Sequence, residues 1–284
     1  MAPDERDLQI RPGQLLKVAQ SMPAAPRILA QVSNLLNEMN SSVDDITELL
    51  RRDSAMTARV LRASNSIAYA GEQAVASLEE AVQRIGFGET YRIVGFAAAA
   101  QVAQRHLHFY GVTSAQFREN ALLTGLLMER LADRLGQEGR SAYTAGLLRS
   151  VGKAAIDQIC VARGDHESYE VDGRTPLLRW ESDRCGVDNV QAAKFILETW
   201  RFPASTIKAI SEHCSPGPTS PALAKLLNVA AAAADRCGHG WPGEWSYWTQ
   251  AMEHAEALML TEADIHEATR DALQAFGPVR AAVG

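Results

Sequence analysis

Cysteine is scarce in this 284-residue chain: only Cys160, Cys185, Cys214 and Cys237 occur, 23 to 29 residues apart. With no Cys-x-x-Cys pair, zinc-ribbon and thiol-redox motifs are excluded, and the four read as buried free thiols. An excess of positive charge is also missing. Lys+Arg is 28 against 34 Asp+Glu, a formal net charge of -6, which argues against tight non-specific binding to nucleic acid or to an anionic membrane. A protein or small-molecule partner is expected instead. No stretch approaches the roughly 18 apolar residues of a membrane span. The start, MAPDERDLQI, is charged with no apolar run behind it, so no signal peptide is predicted and a cytoplasmic protein is expected. β-branched runs are rare too, and no segment reads convincingly as a strand.

What is present is helical. About one residue in six is alanine, and apolar residues recur at helical rather than alternating spacing. A chain of this length buries roughly 75% of its unfolded surface, enough for one large core or two medium ones without a metal or cross-link. Pro12 suits a first helical residue, Ser42 with Asp45 and Ser77 with Glu80 have capping-box spacing, and Gly86 suits a helix end. Further helices are predicted over Thr90–His106, 115–135, 141–160, 176–184, 188–200, 203–213, 221–237, 244–259 and 261–276, the last stopped by Gly277-Pro278. The proline-rich loop 215–221 divides the chain into a helical domain, 12–215, and a C-terminal helical extension, 216–284, packed on it.

Several spaced segments look familiar in order. They are Met22-Pro23-Ala24-Ala25-Pro26, Asp53 through Asn65-Ser66, Leu78 through Gly86, Ala145-Gly146 through Gly152-Lys153, Cys185 through Asn189, and Trp200-Arg201-Phe202-Pro203 running to His213. Together they resemble the HDOD domain, a bacterial all-helical module related to the HD phosphohydrolases, with the resemblance fading by about residue 240. It implies an all-α multi-helix bundle of HD-domain-like type and a regulatory role in signal transduction. Pro23, Pro26, Asp53, Asn65, Ser66, Gly86, Gly146 and Gly152 read as its structural signature, with Asn65-Ser66 ending a helix through side-chain bonds to backbone.

Metal-dependent HD enzymes need imidazoles and carboxylates converging on divalent ions. At the equivalent of the name-giving His-Asp pair this chain has Arg149-Ser150, and a guanidinium offers no lone pair and repels a dication. Asn120 and Asn189 stand where the resemblance places histidines, and His213-Cys214 where it places a His-His pair. His213 and Asp235 are the ligands left, too few for a catalytic ion, so no metal or other cofactor is expected. Arg149 reads as a solvated or carboxylate-paired side chain; the sharper reading gives it, with Lys153 one turn away, a pocket for an anion.

Trp241, Trp245 and Trp248 place three of the five tryptophans in eight residues. They read either as a lid on the core or, at Trp245 and Trp248 on one helical face, as a docking surface for a partner. The expected function is non-catalytic regulation through contact with another signalling protein. The alternatives are a diverged HD-type phosphohydrolase, or a sensor holding a nucleotide or cyclic dinucleotide in the vestigial pocket.

Overall fold

Apolar spacing of helical period gives helices from one end of the chain to the other. The computed structural model describes residues 9–283 apart from 24, 37–41, 67–68, 70–73, 103, 166 and 171–174, so most of the charged start and Ala24 lie outside the described residues. The helices are α1 (Pro12–Ser21), α2 (Ala25–Leu36), α3 (Val43–Arg51), α4 (Ser54–Ser64), α5 (Leu78–Val102), α6 (Ser114–Arg134), α7 (Gly139–Leu148), α8 (Val151–Ala162), α9 (Leu177–Cys185), α10 (Asn189–Thr199), α11 (Ala204–Glu212), α12 (Ala222–Ala234), α13 (Ala251–Ala257) and α14 (Glu262–Val283). Among the described residues there is no strand, only an isolated bridge between Leu107 and Val112. The fold is all-α, as expected.

Helix α6 is the axis of the bundle. Every residue from Asn120 to Glu129 is buried, and α5, α7, α12 and α14 pack around it. At the crossing with α7 the backbones nearly touch: a Cβ on Gly146 would lie 2.7 Å from Gly125 Cα. The α8–α10 crossing is tighter still, because a Cβ on Gly152 would lie 1.8 Å from the Asn189 carbonyl oxygen. Only glycine permits these approaches. One continuous buried core runs from Ile10 to Val279, so the helices after the proline loop share the interior of those before it.

At Ser42 the capping signal acts as read, whereas at Ser77 only half of the box forms: Ser77 Oγ accepts from Glu80 N at 3.1 Å, and Glu80 Oε2 accepts from Ala76 N instead of Ser77 N. Ser42 and Asp45 form a reciprocal capping box on α3, and Asp53 accepts from Met56 N at 2.9 Å to start α4. Gly86, at φ 78°, breaks the helical path inside α5, so the two predicted helices meet there at a kink. Pro26 is buried in the first turn of α2, and Pro23 lies in the preceding link.

Three predicted elements differ. The expected helix over 141–160 is two, because the chain turns at Arg149-Ser150, which separate α7 from α8. The expected helix over 244–259 is a 3-10 turn, Trp245–Trp248, followed by α13. Helix α14 does not stop at Gly277-Pro278: it runs on to Val283, since Phe276 and Val279 are buried against the core and packing outweighs one lost backbone donor. Of the thiols, Cys160, Cys185 and Cys214 are buried and Cys237 is half-buried.

Asn65 closes α4 and ties down the loop beyond it. Its Nδ2 donates to Leu61 O (3.1 Å) and Val75 O (2.9 Å), and its Oδ1 accepts from Val75 N at 2.8 Å. Ser66 Oγ donates to Ala63 O at 2.7 Å. Asn65→Ala is expected to cost about 0.5–2 kcal/mol in urea denaturation, the range of lost caps; an unchanged midpoint would show that the three bonds are dispensable.

Candidate functional site

The turn between α7 and α8 directs Arg149 inward, and one helical turn later Lys153 enters the same space. Both side chains are only 1% exposed. Burying two cations is tolerable only against carboxylates, and the fold supplies one from far along the chain. Glu244, also 1% exposed, receives Arg149 Nη1 through both oxygens at 3.1 and 2.9 Å, and Lys153 Nζ at 2.5 Å. Arg149 Nη2 donates to Asn120 Oδ1 at 3.0 Å, and Asn120 Nδ2 donates to the His239 carbonyl at 2.5 Å.

A second buried carboxyl group, Glu181, joins the cluster through Asn189. Lys153 Nζ donates to Asn189 Oδ1 at 3.4 Å, and Asn189 donates through its backbone N–H and Nδ2 to Glu181 Oε2 at 2.8 and 2.7 Å. Tyr110 donates its hydroxyl to the other oxygen of Glu181 at 2.7 Å. The glycine contact between α8 and α10 is what brings Asn189 and Lys153 together. Aromatic faces wall the cluster, with Lys153 Nζ 4.9 Å from the Trp241 ring centre and Arg149 Cζ 5.7 Å from that of Trp248.

The two carboxylates are driven apart electrostatically. Burial would raise the Glu244 pKa, yet Arg149 and Lys153 outweigh it and hold the group at about 2. At Glu181 burial wins, raising it to about 7 against the pull of Lys153 and its hydrogen bonds. Burial and the Arg149 charge push His213 down to about 3, so it is neutral. Its Nδ1–H donates to Ile210 O at 2.8 Å. Asp235 ends α12 and is raised by burial and by the charge of Glu244. The Ser150 hydroxyl is buried with no protein partner.

Asn120, Arg149, Asn189, His213 and Asp235 thus surround or border one buried cluster, and Arg149 is carboxylate-paired rather than solvated. The anion held by Arg149 and Lys153 is the chain's own Glu244. Trp248 corrects the docking reading: at 8% exposed it packs 6.1 Å from the His213 ring, whereas Trp245, 56% exposed, faces out. Trp248 is covered by Ala231 and Ala232 of α12 and Ala251 of α13, a contact that Trp245 does not share. Glu244, Glu181 and Tyr110 were not anticipated. The signal for Glu244 was a carboxylate inside a tryptophan cluster, together with two cations on otherwise apolar α7–α8; Glu181 and Tyr110 give no comparable sign.

This donor set does not fit a divalent ion. Arg149 and Lys153 project their charges where an ion would need lone pairs, and among the described residues no group of three or more His, Cys, Asp or Glu is arranged to hold a metal. Residues 22–216 match the HDOD domain family. The chain belongs to the HDOD family. Solved structures share the HDOD architecture at low identity. A candidate signal transduction protein of Marinobacter aquaeolei aligns with TM-score 0.72 and 20% identity, over 99% of this chain and 65% of its own. A candidate phosphohydrolase of Shewanella amazonensis gives 0.66 and 22%, over 95% and 97%. An HDOD protein of unknown function from Geobacter sulfurreducens gives 0.65 and 17%, over 94% and 96%. No curated protein matches the sequence. At these identities the likeness shows the fold alone. Glu244 lies beyond the matched HDOD segment.

Glu244→Gln keeps the shape but strands two buried cations, and is expected to cost about 3–5 kcal/mol in chemical denaturation; a loss below about 1 kcal/mol would show that water reaches the pair. Glu181 tests the same cluster by pH. Folded, it holds its proton up to about 7 rather than the ordinary 4.5, so its stabilising contribution is full below pH 4.5 and is lost as pH rises through 7. His213 acts in the opposite sense below 6.5, since its neutral form is favoured in the fold. Comparing wild type with Glu181→Gln at each pH cancels the histidine. The variant, whose amide can still meet Tyr110 and Asn189, is expected to gain on the order of 2–3 kcal/mol relative to wild type between about pH 4.5 and 7.5; a pH-independent difference would place the Glu181 titration elsewhere.

Proposed function

We propose that this HDOD protein is a non-catalytic regulator of bacterial signal transduction that acts through contact with another protein. The observation that carries the reading is the seating of Glu244 between Arg149 and Lys153. Chemistry of the HD type needs a water activated by a divalent ion, and this pocket is closed by an internal ion pair whose cations oppose such an ion. The same plug argues against a sensor that holds a nucleotide in that pocket, because a ligand would first have to displace a carboxylate bound by two cations. The partner-binding part rests on the exposed Trp245, an indole in water beside a buried aromatic cluster, of the kind enriched at interface hot spots. Among the described residues no helix is long and apolar enough to cross a membrane.

Two measurements test this. Elemental analysis of the purified protein is expected to give no stoichiometric Fe, Mn, Ni or Zn, with no hydrolysis of nucleotides; about one equivalent of metal with chelator-sensitive hydrolysis would establish the enzyme instead. Affinity capture from the native host, followed by binding assays, is expected to show Trp245→Ala weakening a partner by about 2 kcal/mol or more at unchanged melting temperature. Trp248→Ala should instead cost about 3–5 kcal/mol of stability through the cavity it leaves. Equal affinity for wild type and Trp245→Ala would remove that residue from the interface.

A further inference from the structure

On the other side of α6 from the buried ion pairs, a cleft of about 490 Å³ opens between α4, α5, α6 and α14. Three arginines line it, each from a different helix: Arg59, Arg118 and Arg280. Its remaining lining includes Phe96, Gln104 and one carboxylate, Glu119. Three guanidiniums converging on one concavity are unusual in a protein of net charge -6, where basic side chains more often find carboxylates.

Their partners differ in a telling way. Arg280 is paired, its Nη1 2.8 Å from Glu119 Oε1, and stands over the Phe276 ring. Arg59 is half-buried and donates only a long bond, 3.4 Å, to the Ala97 carbonyl. Among the described residues neither Arg59 nor Arg118 has an ion-pair partner in the cleft. Burial and the neighbouring charges of Arg62 and Arg118 depress the Arg59 pKa against the opposing pull of Asp53. The walls therefore carry uncompensated positive charge beside a low-dielectric floor, where an anion is held more strongly than on an open surface.

We infer that this arginine cleft is a binding site for a small polyphosphate anion, an inorganic diphosphate or the diphosphate of a nucleotide. The planar forks of Arg59 and Arg118 suit bidentate contact with phosphate oxygens, and two of them spanning one cleft match adjacent phosphates better than a single monoanion. The volume lies within the usual range of ligand pockets, so a nucleoside can be accommodated beside the phosphates. The Gln104 amide and the guanidinium faces are then the groups available to the nucleoside. This site is separate from the buried Glu244 cluster and from the exposed Trp245, so it stands whether or not the protein docks a partner there.

Isothermal titration of the full chain with pyrophosphate, and separately with ADP, at about 0.15 M salt tests the site. Saturable binding of one equivalent of pyrophosphate is expected, and tighter binding of ADP would identify the nucleotide as the source of the phosphates. Arg59→Gln and Arg118→Gln are each expected to weaken binding about tenfold, or about 1.4 kcal/mol, with far-UV circular dichroism unchanged. Arg62→Gln, on the same helix as Arg59 but outside the lining, should change it less than about threefold, the scale of a screened neighbouring charge. No saturable heat with either anion overturns the inference. So does equal weakening by all three variants, which would mean general charge attraction rather than a site. Should either arginine variant lose its helical signal, the conservative Arg59→Lys and Arg118→Lys replace it, with weakening again expected from loss of the bidentate fork.

Discussion

Glu244 between Arg149 and Lys153 is the constraint on which the rest of this molecule depends. Two cations with 1% exposure cannot stay charged inside a protein unless carboxylates meet them, and among the described residues of the matched HDOD segment none reaches Arg149 with a carboxylate. The segment that does so enters after α12, through the turn Asp235–His239, and is fixed at the other end by Trp248. The region beyond residue 216 is therefore structurally required by the part before it. Its helices are not an appendage, since they share one core with α6 and supply its missing charge.

Charge pairing and hydrogen bonding act together in this cluster. Arg149 and Lys153 provide two positive charges and Glu244 one negative charge, while Glu181, raised to about 7 by burial, adds a second only as the pH passes that value. The two cations also hold hydrogen bonds of their own, Arg149 to Asn120 and Lys153 to Asn189. The asparagines fit this role because an amide can accept from a cation on one atom and donate to a carboxylate or carbonyl with the other. The tryptophans on either side keep water out, which strengthens each pair and makes each expensive to break.

The fold was largely legible because helix caps and apolar spacing are local. Asp53, Ser42, Asn65 and the glycine of the kink at residue 86 each act through bonds within a few residues or one loop. The departures arose where a distant contact decided the matter. The 141–160 pattern is continuous in hydrophobicity, and the turn at Arg149-Ser150 coincides with a contact to Glu244, 95 residues further on. Pro278 reads as a stop because sequence cannot show that Phe276 and Val279 have a core to pack against. The site followed the same division. Arg149, Asn120 and Asn189 were found by comparison with a family pattern, but Glu244 lies 91 residues or more from the cations it pairs with, and sequence separation of that size carries no periodic signal.

Helix α6 also explains why a buried ion cluster and an open arginine cleft can coexist so close together. Successive residues on a helix point about 100° apart, since 3.6 make a turn. Asn120 consequently faces the inner network while Glu119 faces the cleft, where it pairs with Arg280. The turn after α12 touches both: the His239 carbonyl accepts from Asn120, and its ring lies 3.6 Å from Glu119. Charge on the two sides is thereby kept separate. The carboxylate that would neutralise the cleft is engaged by α14, and those inside are engaged by Arg149 and Asn189. Among the described residues Arg59 and Arg118 are left without either, and the packing of α6 against α12 and α14 fixes that imbalance in place.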